Sequence, residues 1–537
     1  MPPNDPNLGY AYQLPLVGWG SRIRLGLSQF SDIFSEFDKY IAPAYHHDRC
    51  ERSVQMRLYS MHKREFVLVF VLFFACLSLM MFIGLAGPPI TEATRFDGAA
   101  LLPKLNNGTS VNQKQLATGP FIMKTPKLST YNQQVWIIAT LETENTDGET
   151  IDKEFQICVT VSGLTEEHKP TSVSPHYEHH NRTRHLHCNK QICDEFLVMH
   201  LGYLAYTHYI VNFHFYDLEA FHERYHIKEL NFHFKTYNPS FTAIEIWFRL
   251  IFVLGSFGAT WWFYQTLRKY PVHCWAFEQK WLGILLPLLT AFDNPMFPTI
   301  FLVGSWLPGM IDAIFQVTFM GTLFVFWLCI YHGLRQNKRN IYTFYLPKFF
   351  VVAMMYFPIL VISVWQEIDE LNDPAYDHTL ENDYYVVIAF LYIFSTIYFM
   401  YLFWLMVKAY ADLRSMPFFS LRLKFLTLLM LIVLTIGAII SLYNFGLDIL
   451  VDSLATDIDT KYTSSSQFMC FYGLLNLYVY VMAYVYSPLS QNPHDETITK
   501  DNPTFSMIND SDEDVIYGSD EESRRPLNRG HNDDDSD

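Results

Sequence analysis

Residues 66–86 read Phe-Val-Leu-Val-Phe-Val-Leu-Phe-Phe-Ala-Cys-Leu-Ser-Leu-Met-Met-Phe-Ile-Gly-Leu-Ala, 21 positions without a charge. As a helix they extend about 31 Å, the thickness of a bilayer's hydrocarbon core. Arg49, Arg52, Arg57, Lys63 and Arg64 precede the stretch, and only Arg95 and Lys104 follow it closely. Cationic flanks stay on the cytosolic side, so this first span carries the chain from the cytosol to the lumen or cell exterior. Apolar runs return at 244–267, 281–305 (interrupted), 309–331, 346–365, 384–407, 425–445 and 468–486. The connections predicted inside hold Arg268, Lys269 and Lys280, then Arg335, Lys338, Arg339 and Lys348, then Lys408, Arg414, Arg422 and Lys424. Those predicted outside hold almost no cations, and the one after Trp365 is acidic. Eight spans with both ends cytosolic satisfy this pattern.

Composition agrees. Of 537 residues, 17% are charged, against roughly a quarter in a soluble chain, and 17% are aromatic. The net charge of −16 leaves no large basic face for nucleic acid. Eight cysteines are too few for a disulfide scaffold. Residues 88–240 differ from the rest: Phe155, Ile157, Val159 and Val161 alternate with Gln156, Cys158 and Thr160, and Leu230, Phe232 and Phe234 alternate with Asn231, His233 and Lys235. Asp147-Gly148 between 135–144 and 152–162 predicts a hairpin joining two strands. The expected fold class is a membrane α-helical bundle, one N-terminal span (66–86) plus a seven-helix domain (244–486), with a luminal all-β sandwich over 88–240. Residues 1–65 form a cytosolic region in which Ile23, Leu27, Phe30, Phe34, Phe37 and Ile41 predict an amphipathic helix over 22–41. Residues 487–537, with 14 acidic and 4 basic side chains, read as a disordered cytosolic tail.

Several short stretches are shared with known sequences. Leu201-Gly202-Tyr203-Leu204, Thr236-Tyr237-Asn238-Pro239, Glu245-Ile246-Trp247-Phe248-Arg249, Glu278-Gln279-Lys280-Trp281, Ser305-Trp306-Leu307-Pro308-Gly309-Met310, Phe344 to Phe350 and the run Asp510 to Asp520 resemble the transmembrane protein 181 family, over roughly residues 57–522. More distantly, Arg422-Leu423-Lys424-Phe425 and the segments Asn476 to Tyr478 and Tyr486 to Pro488 resemble Wntless, the carrier of lipidated Wnt proteins. The resemblance implies a Golgi-dynamics (GOLD-like) luminal sandwich on a seven-helix bundle, and membrane trafficking or cargo handling in the secretory pathway. It also implies a host-factor role in uptake of bacterial cytolethal distending toxin.

The candidate residues each admit a structural and a functional reading. Asn107 and Asn181 open glycosylation sequons in the segment placed outside, whereas Asn238-Pro239-Ser240 is excluded by its proline. Cys188 and Cys193 bracket a short loop in the oxidising compartment, where a disulfide is expected, leaving Cys158 as a buried thiol. Asp293, in Asp293-Asn294-Pro295, interrupts an apolar helix; it either caps a short re-entrant piece at the outer interface or forms a cavity wall. Asp312 and Gln316 share a helix face, within reach of Arg249 for an ion pair or a polar throat. Asn476 with Tyr478 and Tyr480 predicts interhelical hydrogen bonds or ligand contact. His176, His179, His180, His185 and His187 crowd one loop without an organised partner; a solvated loop is the expectation, and no metal, cofactor or catalytic set is predicted. The third bundle helix ends in Cys329-Ile330-Tyr331-His332 and the last lacks Asn-Pro-x-x-Tyr, which weighs against a G-protein-coupled receptor.

The tail supplies sorting-like signals: Tyr486-Ser487-Pro488-Leu489, then Asn502-Pro503-Thr504-Phe505, whose Asn and Pro favour a turn that offers Phe505. Ser511 and Ser519 each precede acidic runs, and phosphorylation there would deepen an acidic strip. Together these predict a non-enzymatic, multi-pass cargo receptor or carrier cycling among Golgi, endosome and plasma membrane. Its expected partners are membrane lipid, a luminal cargo (a lipid or lipidated protein) and cytosolic sorting adaptors, and the family resemblance alone implies the bacterial toxin as another. A signalling receptor and a transporter or channel are the alternatives.

Overall fold

The computed structural model describes residues 54, 56–103, 113–144, 150–165, 169–173, 180–335, 340–375, 383–413, 417–445, 462 and 464–489. The amphipathic stretch 22–41, Asn107, His176, His179, Asn502, Pro503, Phe505, Ser511 and Ser519 lie outside them. Among the described residues, eight helical spans are long and apolar enough to cross a membrane: α1 (Lys63–Leu85), α2 (Pro239–Leu267), α3 (Phe277–Phe292, whose span continues through a 3-10 turn to Phe301), α4 (Trp306–Gly333), α5 (Leu346–Asn372), α6 (Asp383–Leu413), α7 (Pro417–Phe445) and α8 (Ser465–Val485).

Between α1 and α2, the described residues form ten strands: β1 (Thr91–Asp97), β2 (Phe121–Lys124), β3 (Val135–Thr143), β4 (Thr150–Leu164), β5 (Pro170–Ser172), β6 (His180–Asn189), β7 (Ile192–Cys193), β8 (Phe196–Leu201), β9 (His208–Tyr216) and β10 (Ile227–Tyr237). They pair antiparallel in the order β1-β10-β3-β7-β6-β4-β9-β2, with β8 on β3 and β5 on β4. The connected sheet folds into two layers, and rings from strands that share no ladder meet edge to face between them. Phe213 of β9 lies 4.9 Å from Phe232 of β10, and Phe155 of β4 lies 5.1 Å from Phe196 of β8. The alternation in β4 and β10 supplies these inward rings, with Ile157, Val159, Phe232 and Phe234 all buried.

Asp147-Gly148 lies outside the described residues, and the strands on either side of it do not pair with each other as expected. β3 pairs with β10, β8 and β7, and β4 with β6, β9 and β5, so the two strands lie in different layers. A turn dipeptide specifies a reversal of direction, whereas partner choice is set by which buried faces meet. The observed tight hairpin is β6–β7, closed by the Cys188–Cys193 disulfide.

The β domain is joined directly to the bundle. β10 runs into α2 through Asn238, whose Oδ1 accepts from Ser240 N at 2.9 Å while Pro239 fills the first turn. Asn238 N also donates to Ile90 O, just after α1. In the bundle, α1 crosses α8 at glycines: a Cβ on Gly84 would lie 2.3 Å from Ser466 Cα, and one on Gly473 would lie 2.2 Å from Met80 Sδ. Small residues at such crossings let backbones approach.

The helices outrun their apolar cores. Arg422 and Lys348, expected in cytosolic loops, are built into helices and buried. Arg422 meets Glu278 of α3, and Lys348 donates to Phe344 O with its ammonium 3.5 Å from the Phe344 ring centre. Hydropathy locates the apolar stretch of a helix, while backbone hydrogen bonding continues into its polar ends.

Candidate functional site: a charged cluster under the sheet domain

The second and third turns of α2 bring Thr242, Glu245 and Arg249 to one face. The Arg249 side chain is buried to 2% exposure, and three of its five N–H groups meet carboxylates. Nε and Nη2 donate to Glu245 Oε1 at 3.2 and 3.1 Å, and Nη1 donates to Asp312 Oδ1 of α4 at 3.1 Å. Its guanidinium carbon lies 3.8 Å from the Phe297 ring centre and 5.0 Å from that of Tyr472. Asp312 Oδ1 also accepts from Asn294 Nδ2 at 2.8 Å, and its Oδ2 accepts from Gln316 Nε2 at 2.7 Å. The pairing of Asp312 with Arg249 and its shared face with Gln316 are thus present as geometry.

The β domain completes the cluster. Gln133 ends a short 3-10 turn at φ 52°, a region few side-chain-bearing residues adopt. From there its Nε2 donates to Thr242 Oγ1 at 2.9 Å and to Glu245 Oε2 at 3.1 Å. Asn294 on the opposite wall also has positive φ, 53°, and Met296 N donates to its Oδ1 at 3.0 Å. Unfavourable backbone at two positions around one cluster marks a site where the surroundings over-determine geometry.

A cavity of about 270 Å3 opens beside these groups, between sheet domain and bundle. Gln133, Tyr203 and Tyr237 line it from the sheet domain, and Glu245, Arg249 and Asp312 from the helices.

Asp293 caps α3 and is fully buried. Its Oδ1 accepts from Asn476 Nδ2 at 2.8 Å, and Asn476 Oδ1 accepts from Tyr480 OH at 2.8 Å. Tyr478 stands apart from this set. It accepts from Trp327 Nε1 at 2.8 Å, because residues two apart on a helix do not share a face, whereas Asn476 and Tyr480, four apart, do. Asn181 is exposed on β6, and Cys188 is bonded to Cys193. Tyr486 is fully buried and packs on Phe425, with their ring centres 6.1 Å apart; Leu489 is half-buried. His185 lies 3.6 Å from Glu154 across the β4–β6 ladder. Among the described residues, no three His, Cys, Asp or Glu side chains gather closely enough to hold a metal ion.

Sequence reasoning passed over Glu245 and Gln133. Glu245 was legible as an acid four positions before a buried arginine. Gln133 carries no comparable signal, since its role comes from contacts 109 and 112 positions away.

A model described as "TMEM181, GOLD domain" matches residues 119–237, and one described as "Wntless-like, transmembrane domain" matches residues 238–490. With eight membrane-length helices, they define a multi-pass membrane protein of the secretory pathway, a GOLD domain set on a Wntless-like bundle. The human protein "Transmembrane protein 181" is 44% identical over 479 residues, 88% of this chain and 96% of its own length. The chain belongs to the transmembrane protein 181 family.

Proposed function

We propose that this chain is a non-enzymatic cargo receptor or carrier that cycles among Golgi, endosomes and the cell surface, with the cavity between sheet domain and bundle as its binding site. The observation that carries the reading is the shared cluster: Gln133 of the sheet domain and Glu245, Arg249 and Asp312 of the helices converge on one cavity wall. Buried charges are costly in a bundle and concentrate where a pathway or ligand is handled. Pockets at domain junctions are a common place for binding.

The cationic flank before α1 supports a sheet domain facing the lumen or exterior, with cytosolic ends that meet sorting adaptors. Toxin uptake would follow from the same cycling between surface and interior.

The test compares material co-purifying with gently solubilised wild type and with Thr130→Trp, which places a ring in the cavity from the sheet side while Glu245, Arg249 and Asp312 are unchanged in sequence. Mass spectrometry is expected to find a lipid or protein enriched on wild type and lost from the variant. Nothing beyond bulk lipid and chaperones on wild type, or identical material on both, would overturn the reading.

A further inference from the structure

The charges of the cavity are unbalanced, and the imbalance selects a ligand. Two carboxylates, Glu245 and Asp312, face a single guanidinium, and among the described lining residues no lysine or second arginine is present. Three of the five N–H groups of Arg249 are already taken up by carboxylates. Phe297 and Tyr472 pack against the guanidinium. The amides around the cluster, Gln133, Asn294 and Gln316, turn donors toward the carboxylates; they spread the surplus negative charge without neutralising it.

A third carboxylate follows the cluster's helix wall, though it is not among the residues that line the cavity. Asp293 precedes Asn294, is fully buried, and has an Oδ2 with no hydrogen-bond partner among the described residues. Ser256 stands near it, but donates its own hydroxyl proton to Val253 O at 3.2 Å. Arg249 also acts on Asp293 electrostatically, and a buried carboxylate of this kind is costly to hold charged.

The remaining walls suit a cation with an organic body. Tyr203, Tyr237, Phe297 and Phe301 line the cavity, and ring faces attract ammonium groups. A space of about 270 Å3 also exceeds what a bare ion fills.

We infer that the cavity binds a positively charged ammonium group, protonated or quaternary, held by the Glu245–Asp312 surplus and the tyrosine walls. The inference rests on the cavity being the binding site and specifies the chemistry of its ligand. A lipid head group or a free amine could present that chemistry.

The experiment follows apparent melting of the purified full chain in a non-ionic detergent, at constant ionic strength and chloride. Choline and ethylammonium replace sodium or potassium. Either is expected to raise the melting temperature by about 2 °C or more at saturating concentration. The shift should vanish in Thr130→Trp, and in Asp312→Asn or Glu245→Gln where these fold. Vesicles of phosphatidylcholine against phosphatidylglycerol separate the sources: protection by the former assigns a lipid head group, and protection by soluble choline alone assigns a free amine.

No shift with either amine, or an equal shift in Thr130→Trp, overturns the inference. Stabilisation by phosphate in place of the amines would do the same. If Thr130→Trp strips cargo while the amines do nothing, the ligand class fails and the binding site stands. If the amine shift depends on Thr130 and Asp312 while co-purifying cargo is unchanged, the ammonium site stands and the cargo reading fails.

Discussion

Glu278 of α3 and Arg422 of α7, 144 positions apart, form an ion pair with side chains 0% and 4% exposed. The neighbouring Gln279 donates to Tyr486 O at 2.9 Å and accepts from Ala276 N at 2.9 Å, so the start of α3, the start of α7 and the end of α8 are tied at one place. Breaking a buried pair from one side leaves a charge uncompensated and costs about 3–5 kcal/mol. Arg422→Leu should therefore strongly lower the melting temperature, and adding Glu278→Gln should recover part of the loss. Fluorescence-detected gel filtration after heating measures both. An Arg422→Leu protein as heat-resistant as wild type would show that the pair contributes nothing.

A second prediction concerns how the sheet domain is held to α5. Arg184 of β6 is buried and donates from Nη2 to Ala375 O at 2.5 Å and from Nε to Leu197 O at 2.8 Å. Arg182 pairs with Asp373, and His200 N donates to Pro374 O at 2.7 Å. The segment after α5 is thus latched onto strands β6 and β8. Arg184→Met removes buried donors from two carbonyls at about 1–3 kcal/mol for each group left unsatisfied. Hydrogen exchange at the His200 amide should quicken by about tenfold for each 1.4 kcal/mol of local stability lost. Unchanged exchange there would mean that the latch is passive.

The legible parts of this molecule were those set by local pattern. Apolar runs located the eight helices, and alternation in 155–161 and 230–234 marked two core strands of the sandwich. The i, i+4 relation placed Asp312 beside Gln316. Contacts made at long range were less visible. Asp147-Gly148 suggested that β3 and β4 pair, yet the faces carrying Phe155 and Phe196 place them in opposite layers. Arg422 and Lys348 looked like loop charges because hydropathy ignores partners: Arg422 meets Glu278 of another helix, and Lys348 folds back on Phe344, one turn earlier. Tyr478 was grouped with Asn476 by nearness in sequence, which a helix converts into separation.

Cys158 gives a prediction with a pH sign. It lies in β4 at 8% exposure, and burial raises its thiol above the ordinary value. The thiolate is the reactive form, so a raised value means less of it at any given pH. Site-resolved maleimide labelling at pH 8 should leave Cys158 unmodified in the folded protein and modify it after denaturation. Cys188 and Cys193 should label only after reduction, because they are bonded to each other. Equal labelling of Cys158 before and after denaturation would contradict its burial.

The last prediction separates two sorting-like segments by what the fold does to one of them. Residue 54 and residues 56–60 lie along the end of α8: Val54 N donates to Cys274 O at 2.9 Å, Arg57 N donates to Ser487 O at 2.9 Å, and Met56 forms an antiparallel bridge with Pro488. Met56 and Leu58 are buried in the same apolar cluster as Tyr486. A Tyr-x-x-apolar signal is read through an accessible tyrosine, and Tyr486 is 0% exposed. Leu489→Ala should therefore leave antibody uptake from the cell surface unchanged. Changing Asn502, Pro503 and Phe505 together to Ala should raise surface residence, since the trafficking reading then depends on that turn. Slower uptake in Leu489→Ala would mean that the 54–60 segment lifts away in the cell and Tyr486 becomes readable. An unchanged distribution in the triple variant would remove the Asn-Pro-x-Phe turn from the trafficking argument, leaving the cavity between sheet domain and bundle to carry it alone.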